Sequence, residues 1–489
     1  MKCELLYSRQ HTYYTGGLEM AIRYKGNGRY AYETHNKWNK EKKKYETKWK
    51  YLGVVDKETG VATPKHSTDK NASEKLIVDY GNTFALNEYC RLSGFASLIR
   101  GVFGEFADTL MALVFYRLIE SGGMNMVSEW YAGNYARVCL PNLNLSSQRI
   151  SEALCHIGEE SLWRKFFQIY TQSVYSNNGV IIDSTGLPND IGISLTALGH
   201  HGGVIESEIR MIMVVDRLSG EPLYFRYVAG NIVDVTTLKT TMNELLELQI
   251  NANYALLDAG YCSESNILAL YAAQISFLMR VPAGRLIYKE AVESALPTLE
   301  NIENCVIYGE RVLYIQREKI TLYEKHEGYA YVCLNVKKKS DDITRIMLNA
   351  VANNEDADKT KAKLKTAGIF VLLSPEEISS DELLKLYYLR QSAEQIFEIS
   401  KSYADILPLR VNQERTLRGI LMINFLAVAI YKNLNNQLDD GMPLSNALKI
   451  LRSQKCKVYT DNTIPSEPNK KQRLILEAIA NTVGKFSGT

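Results

Sequence analysis

The sequence predicts an α/β protein centred on a mixed β-sheet, carrying a β-rich insertion and preceded by a small β-rich segment and an α-helical N-terminal region. Three observations lead there. Between residues 180 and 281, short apolar runs and helical periodicities follow one another in the order strand, strand, strand, helix, strand, helix, strand. Two of those strands, 180–184 and 254–258, run from buried-type residues onto an aspartate. A chain of 489 residues with 46% hydrophobic content has room for two or three domains, each with its own core.

Residues 1–62 read as short strands and turns, because β-branched and aromatic residues alternate with polar ones around Gly16-Gly17, Gly26-Asn27-Gly28 and Gly60. A polar linker, 63–73, separates them from a helical domain, 74–176. Within that domain 107–120 is an apolar core helix. Leu145-Ser146-Ser147 ahead of Arg149, Ile150, Ala153 and Leu154 is a cap followed by an amphipathic pattern, which suits a bundle helix or one arm of a helix-turn-helix.

The sheet domain takes residues 177–281 and 369–435. Its strands are 180–184, 208–216 and 223–228, then 254–258 and 276–281. Helices 236–249 and 264–273 separate the later ones, with Asp234 placed to cap the first. Three strands in hairpin order, then helix, strand, helix, strand, is the order of a ribonuclease-H-like sheet. Residues 282–368 form a β-rich insertion, with strands at 305–316, 320–324 and 329–336 and a charged helical stretch at 353–365. A last strand, 368–373, precedes a long amphipathic helix, 381–404, and an apolar helix, 417–434. The C-terminal region, 436–489, holds two weaker helices, 444–451 and 471–480.

Charge is nearly balanced, with 57 Lys and Arg against 55 Asp and Glu, so any basic binding surface must be local. Residues 23–50 hold ten Lys or Arg, among them Arg23, Lys25, Lys42, Lys43 and Lys44, against three Glu. Tyr24, Tyr30, Tyr32, Trp38, Tyr45, Trp49 and Tyr51 are interleaved with them, a mixture that suits phosphate and sugar contact. The eight cysteines show no CxxC pair and read as reduced, mostly buried thiols. The longest apolar stretch, 419–431, falls short of the roughly 20 residues a membrane helix needs, so the expected location is the bacterial cytoplasm, at the nucleoid.

Chemistry concentrates in three places. Asp183 follows Val180-Ile181-Ile182, and Asp258 follows Tyr254-Ala255-Leu256-Leu257, so adjacent central strands would bring both carboxylates to one sheet end. Tyr387, Arg390, Glu394 and Lys401, spaced three, four and seven apart, share one stripe of a continuous helix and offer a third acid between two cations. Converging carboxylates suit two-metal phosphoryl transfer, because Mg²⁺ prefers oxygen ligands. His200-His201, beside Gly199 and Gly202-Gly203, read as loop residues whose rings point apart, and Cys262 reads as a structural thiol. Neither a phosphate-cradling loop nor a nucleotide cofactor is expected, since Gly26-Asn27-Gly28 lacks a following helix and a Gly-Lys-Ser/Thr.

The residues also carry a resemblance. Tyr387, Arg390, Glu394 and Lys401 match a Tyr-x2-Arg-x3-Glu-x6-Lys signature without a gap. Asp183-Ser184-Thr185, Asp258-Ala259-Gly260-Tyr261 and the block Gly230, Asn231, Asp234 match as well. Over roughly 180–435 the chain resembles the DDE transposases of bacterial insertion sequences. The resemblance implies that Asp183, Asp258 and Glu394 bind two ions of Mg²⁺ or Mn²⁺. It further implies that Arg390, Lys401 and Tyr387 contact double-stranded DNA at the inverted repeats of a transposon end. A homodimer joining the ends to target DNA is expected with it. Two other readings share these residues: a metal-dependent nuclease without strand transfer, and a domesticated descendant that only binds DNA.

Overall fold

The computed structural model describes residues 12–15, 18–25, 29–55, 62–63, 76–189, 192–201, 204–403, 409, 411–438, 442–460, 462–482 and 486. The chain divides into two compact units, Met1–Leu76 with Lys457–Ile464, and Ile77–Cys456 with Pro465–Thr489.

The first unit contains an antiparallel meander of Thr12–Thr15, Leu18–Lys25, Tyr30–Asn39, Lys44–Val55 and Ala62–Thr63. Its longest hairpin turns where Asn39 Oδ1 accepts from the Glu41 and Lys42 amides, at 3.0 and 3.2 Å, and Lys43 takes a positive φ of 48°. A side chain that satisfies turn amides is how asparagine earns its place there. Gly16-Gly17, Gly26-Asn27-Gly28 and Gly60 lie outside the described residues.

In the second unit a ten-stranded sheet runs Pro222–Ala229, Val204–Asp216, Val180–Pro188, Tyr254–Leu257, Ser276–Val281, Ile369–Ser374, Glu327–Asn335, Arg311–Thr321, Cys305–Tyr308, with Ala197–His201 paired beside Val204–Asp216. The first three strands are antiparallel, the next two join in parallel, and all later pairs are antiparallel. Three antiparallel strands followed by two parallel ones, in the spatial order third, second, first, fourth, fifth, is the ribonuclease-H-like arrangement that the element order predicts.

Four local expectations change. The strand of Asp183 does not stop at Ser184 but pairs on to Pro188, because Gly186 and Leu187 continue the register against Arg210 and Ile209. Residues 197–201 form a strand where a loop was expected, so the backbone of His200 and His201 belongs to the sheet. The insertion is not a separate body. Its strands extend the same sheet, because Ile369–Ser374 lies between Ser276–Val281 and Glu327–Asn335 and pairs with both. A helix, Val336–Ala352, stands ahead of the anticipated charged one, Ala357–Lys365. None of the former's residues is buried, although Ile343, Ile346, Met347, Ala350 and Val351 fall at helical spacing along one face.

The helical region packs on the other side of this core. Helix Glu414–Asn435 is longer than its apolar stretch suggested, 22 residues, and by length and hydropathy alone would suit a membrane. It is instead a core helix, with Leu421, Met422, Ile423, Phe425 and Leu426 all essentially inaccessible. Trp163, Phe166, Phe167 and Tyr170, on helix Glu160–Val174, pack their rings, mostly edge-on, against one another and against Tyr224, Phe225 and Phe425. Helix Ser147–Ile157 begins after Ser146 as expected, but that serine makes no side-chain cap bond. The last helix, Lys470–Ala480, is held by a full capping box between Asn469 and Gln472.

Helix Glu414–Asn435 meets helix Ser147–Ile157 through glycines. A Cβ on Gly158 would lie 1.8 Å from the Arg415 carbonyl oxygen, and one on Gly419 2.2 Å from that of Leu154. Backbone cannot yield as a side chain does, so Gly158→Ala and Gly419→Ala are each expected to cost about 1–3 kcal/mol through overpacking. Gly101→Ala, where a Cβ meets nothing within 4 Å, should leave the thermal midpoint unchanged or raise it. Thermal unfolding of the three variants checks the contrast, and equal losses at all three would refute it.

Candidate active site

Strand register builds the site first. Ile182, Leu257 and Met279 are neighbours across three parallel strands, so the residues that follow them, Asp183, Asp258 and Arg280, form the next row. In-register neighbours on adjacent strands point to one face. Two carboxylates and a guanidinium therefore emerge side by side at the C-terminal end of the parallel strands. The strand carrying Asp258 ends there, turning through the short helix Ala259–Tyr261.

The third element is the helix after Ile369–Ser374, and it is not continuous. It breaks into Ser380–Leu389 and Gln391–Glu398, followed by a π-helical turn, Ile399–Tyr403. At the break the Arg390 amide donates to the Tyr387 carbonyl, 3.3 Å, and the Ala393 amide to that of Arg390, 3.0 Å, so the backbone tightens to three-residue bonds. The expected single stripe of Tyr387, Arg390, Glu394 and Lys401 is consequently split. The wider turn is held from behind by a buried pair in which Ser400 Oγ donates to Asn424 Oδ1 and Asn424 Nδ2 donates back to the Ser400 carbonyl.

Arg390 is where the three acids meet. Its Nη1 stands 3.0 Å from Asp258 Oδ1 and 3.7 Å from Asp183 Oδ2, and its Nη2 donates to Glu394 Oε1 at 2.6 Å. The guanidinium and Asp183 are mostly buried, whereas Glu394 is half exposed. Asp258 Oδ1 is buried and receives no aligned N–H despite the short distance, so it has charge contact without a hydrogen bond. Asp183 Oδ1 accepts from the Ser184 amide at 2.8 Å. Burial above all, then the neighbouring Asp258 charge, pushes the Asp183 carboxyl up to about 7, against the pull of Arg390.

These oxygens fit a divalent cation. An under-bonded buried carboxylate oxygen beside a second carboxylate is an oxygen-rich, charge-deficient position of the kind Mg²⁺ and Mn²⁺ take. Among the described residues, no three carboxylate, imidazole or thiol side chains already converge as a closed ligand set. Asp183 and Asp258 are adjacent, and Glu394 reaches them through Arg390.

The other expected residues fall nearby in different roles. Tyr387 is half-buried, stacked on Phe370 at 5.1 Å, with its hydroxyl pKa raised by burial. Lys401 lies on the π turn, its amine pulled down by burial and back up by the Glu208 and Glu206 charges, so it serves another patch than Arg390. Asp234 was expected to cap its helix. The capping position is instead Val233, with no side-chain bond, and Asp234 Oδ1 accepts from Ser184 Oγ at 2.6 Å and from Arg210 Nη1 at 3.1 Å. Arg210 also contacts Glu208, a fully buried acid, at 3.3 Å. Gly186 and Gly199 make room for that acid, since a Cβ on either would fall within 2.1 Å of its oxygens. Cys262 is buried, its thiol pushed up to about 11, which keeps it inert. The rings of His200 and His201 lie outside the described residues.

Sequence reasoning missed Arg280 and the Ser184–Asp234–Arg210–Glu208 chain. Arg280 was legible in principle, because it follows its strand's apolar run as Asp183 and Asp258 follow theirs. The basic residues of the first unit form a distinct group. Arg23 and Lys25 lie over the Trp49 ring, at 5.9 and 4.1 Å, while Lys42 pairs with Glu46 at 3.0 Å and Lys43 and Lys44 frame the hairpin turn.

The model of a family described as a transposase DDE domain matches residues 175–430. Among solved structures, the chain is similar to a piggyBac transposase in a synaptic complex with hairpin DNA, at 10% identity and a TM-score of 0.38, covering 81% of this chain and 77% of that one. No curated protein matches.

The raised Asp183 carboxyl has a measurable consequence. The folded protein holds that proton more tightly than the unfolded chain, whose aspartates titrate near about 4. Its contribution to stability is therefore full below about pH 4 and is lost as pH rises through about 7. In chelator-treated protein, Asp183→Asn should raise the free energy of unfolding at pH 7.5 by an amount on the order of a few kcal/mol, with the gain vanishing near pH 4. A variant less stable than wild type at pH 7.5 would contradict this origin of the shift.

Proposed function

The chain belongs to the transposase DDE domain family, and from that premise we propose how its own residues carry out the reaction. Members of the family are DNA transposases, so the activity is polynucleotidyl transfer and endonucleolytic cleavage on DNA, with divalent metal ions in general use. We assign Asp183, Asp258 and Glu394 as the ligands of two ions, Mg²⁺ or Mn²⁺. The observation that carries this is the single guanidinium, Arg390, against which all three acids lie. Bound there, the ions supply Lewis-acid stabilisation of the oxygens that gain charge in phosphoryl transfer.

Each side chain then has a part. Asp183 and Asp258 are fixed by adjacent strands, so their separation is set by the sheet and not by rotamer choice. Glu394 stands on a short helix that begins at a backbone break, which lets the acid approach the aspartates while the sheet stays put. Arg390, once exchanged out of its contacts with the acids, is placed to grip a phosphate of the DNA end. Arg280, in the same row and without an acid partner within 4 Å among the described residues, is a second phosphate contact. Tyr387, stacked on Phe370, supports the same DNA contact and is no nucleophile.

The substrate in this reading is double-stranded DNA carrying the terminal inverted repeats of an insertion sequence, held by a homodimer that pairs two ends. Water attacks the phosphodiester at the element's end and the 3′ oxygen leaves as a free hydroxyl. That hydroxyl attacks a phosphodiester of target DNA, one bond forming as one breaks, with no covalent protein intermediate.

Cleavage of an end-containing duplex in Mg²⁺ tests the assignment. Asp183→Asn, Asp258→Asn and Glu394→Gln are expected to bind that duplex as wild type does and to lose cutting. Cutting retained by any of the three removes that residue from the site. Arg390→Ala should lower cleavage about a hundredfold. Titrated without DNA, the same variant should take up Mn²⁺ at least as tightly as wild type, because the competing cation is gone. Weaker uptake would show Arg390 organising the acids and not competing for them.

A further inference from the structure

The N-terminal meander sorts its side chains onto two unlike faces. Register pairs Tyr32 with Tyr51, Thr34 with Trp49, Asn36 with Thr47, and Trp38 with Tyr45 on one face. Glu33 with Lys50, and His35 with Lys48, take the other. The second face is charge-paired, Glu33 lying 3.6 Å from both Lys50 and His35. The first is a row of rings in mutual contact: Tyr32 edge-on to Trp49 at 5.8 Å, Tyr32 tilted on Tyr51 at 5.2 Å, and Trp38 edge-on to Tyr45 at 4.9 Å. Large rings are normally buried, yet Trp38, Tyr45, Trp49 and Tyr51 are 47%, 68%, 40% and 38% exposed.

We propose that this aromatic face binds an unpaired segment of DNA, its rings stacking on bases while Arg23, Lys25 and the Lys40–Lys44 turn hold the phosphates. Stacking needs a base whose flat side is open. Paired bases present only their edges in the grooves, so rings on a sheet face match a single strand and not a duplex. The cations complete the match. Arg23 and Lys25 share the aromatic face and lie over Trp49 with no acid against them among the described residues, so each can exchange a ring for a phosphate next to a stacked base. At the far end, the turn after Trp38 adds Lys40, Lys42, Lys43 and Lys44. The rows from Tyr32/Tyr51 to Trp38/Tyr45 lie six residues apart, about 20 Å along the strands, which suits the shortest single-strand sites of roughly four nucleotides. The inference rests on the DNA-transposase reading only for the identity of the polymer.

Two of the four tryptophans, Trp38 and Trp49, stand on this face, and the full-length protein therefore reports on it directly. Oligothymidylate of about 20 nucleotides should quench tryptophan emission saturably, and the equal-length duplex should do so far less. Trp38→Ala/Trp49→Ala should bind the oligothymidylate about tenfold or more weakly, whereas Trp38→Tyr/Trp49→Tyr, which keeps stacking rings, should retain most of the affinity. Absence of quenching in the wild type overturns the proposal, and that measurement needs no variant to fold. Unchanged binding by the alanine variant, or a loss seen for the duplex instead, overturns it too. Asp183→Asn should bind the single strand as wild type does, so a failed active-site assignment and a failed single-strand site give different results.

Discussion

Two aspartates at the same level of adjacent parallel strands cannot both be charged, buried and unaccompanied. The sheet forces Asp183 and Asp258 together, and the cost appears as the raised carboxyl of Asp183. Everything around the pair is arranged to supply or accept positive charge. Arg390 is brought in on a helix broken at that residue, and Arg280 arrives in the same row from the next strand. The arrangement sacrifices stability to hold two acids and a guanidinium together, a common pattern in functional sites.

A second polar layer supports the first. Strand alternation sends Ser184 to the face opposite Asp183, where it bonds Asp234, which Arg210 links to the buried Glu208. Gly260 lies against Asp234, where a Cβ would fall 2.6 Å from its carboxylate, so the turn after Asp258 closes directly onto this layer. The two aspartates are thereby tied to one network from behind, Asp183 through its neighbour and Asp258 through the turn that follows it. Networks of this kind hold geometry when every member is partnered. Glu208 Oε2 is buried without a hydrogen bond, and the positive charge of Lys401 acts on the same region.

Much of this was legible in the sequence, and the reasons for the rest are physical. Asp183 and Asp258 could be placed because a buried parallel strand announces itself as an unbroken apolar run, and the aspartates that end the two runs directly follow the paired Ile182 and Leu257. The strand order followed from the alternation of periods. Residues 197–201 could not be placed, since a strand rich in Gly and His owes its form to pairing with Val204–Asp216 and not to its own propensity. Helix Val336–Ala352 does carry a helical period, in Ile343, Ile346, Met347, Ala350 and Val351, but its first turns are charged and the stripe is confined to its second half, which hid it. Asp234 looked like a cap because caps are local, while its partners, Ser184 and Arg210, are 50 and 24 residues away in sequence.

The split helix is the most informative departure. Ideal helical spacing would place Tyr387, Arg390, Glu394 and Lys401 along one line, and a site built that way would spend both cations on one region of negative charge. The tightened turn at Arg390 and the wide turn at Lys401 change their bearing in opposite senses, the first drawing the backbone in by three-residue bonds and the second letting it out. As a result Arg390 reaches the paired aspartates, while Lys401 lies in the field of Glu206 and Glu208. Both irregularities have outside support, the first in the ion pairs of Arg390 and the second in the Ser400–Asn424 pair within the core helix. A regular helix would satisfy its own hydrogen bonds better and serve the two acidic patches worse. The sheet, by fixing where the acids lie, thus determines where the helix has to depart from regularity.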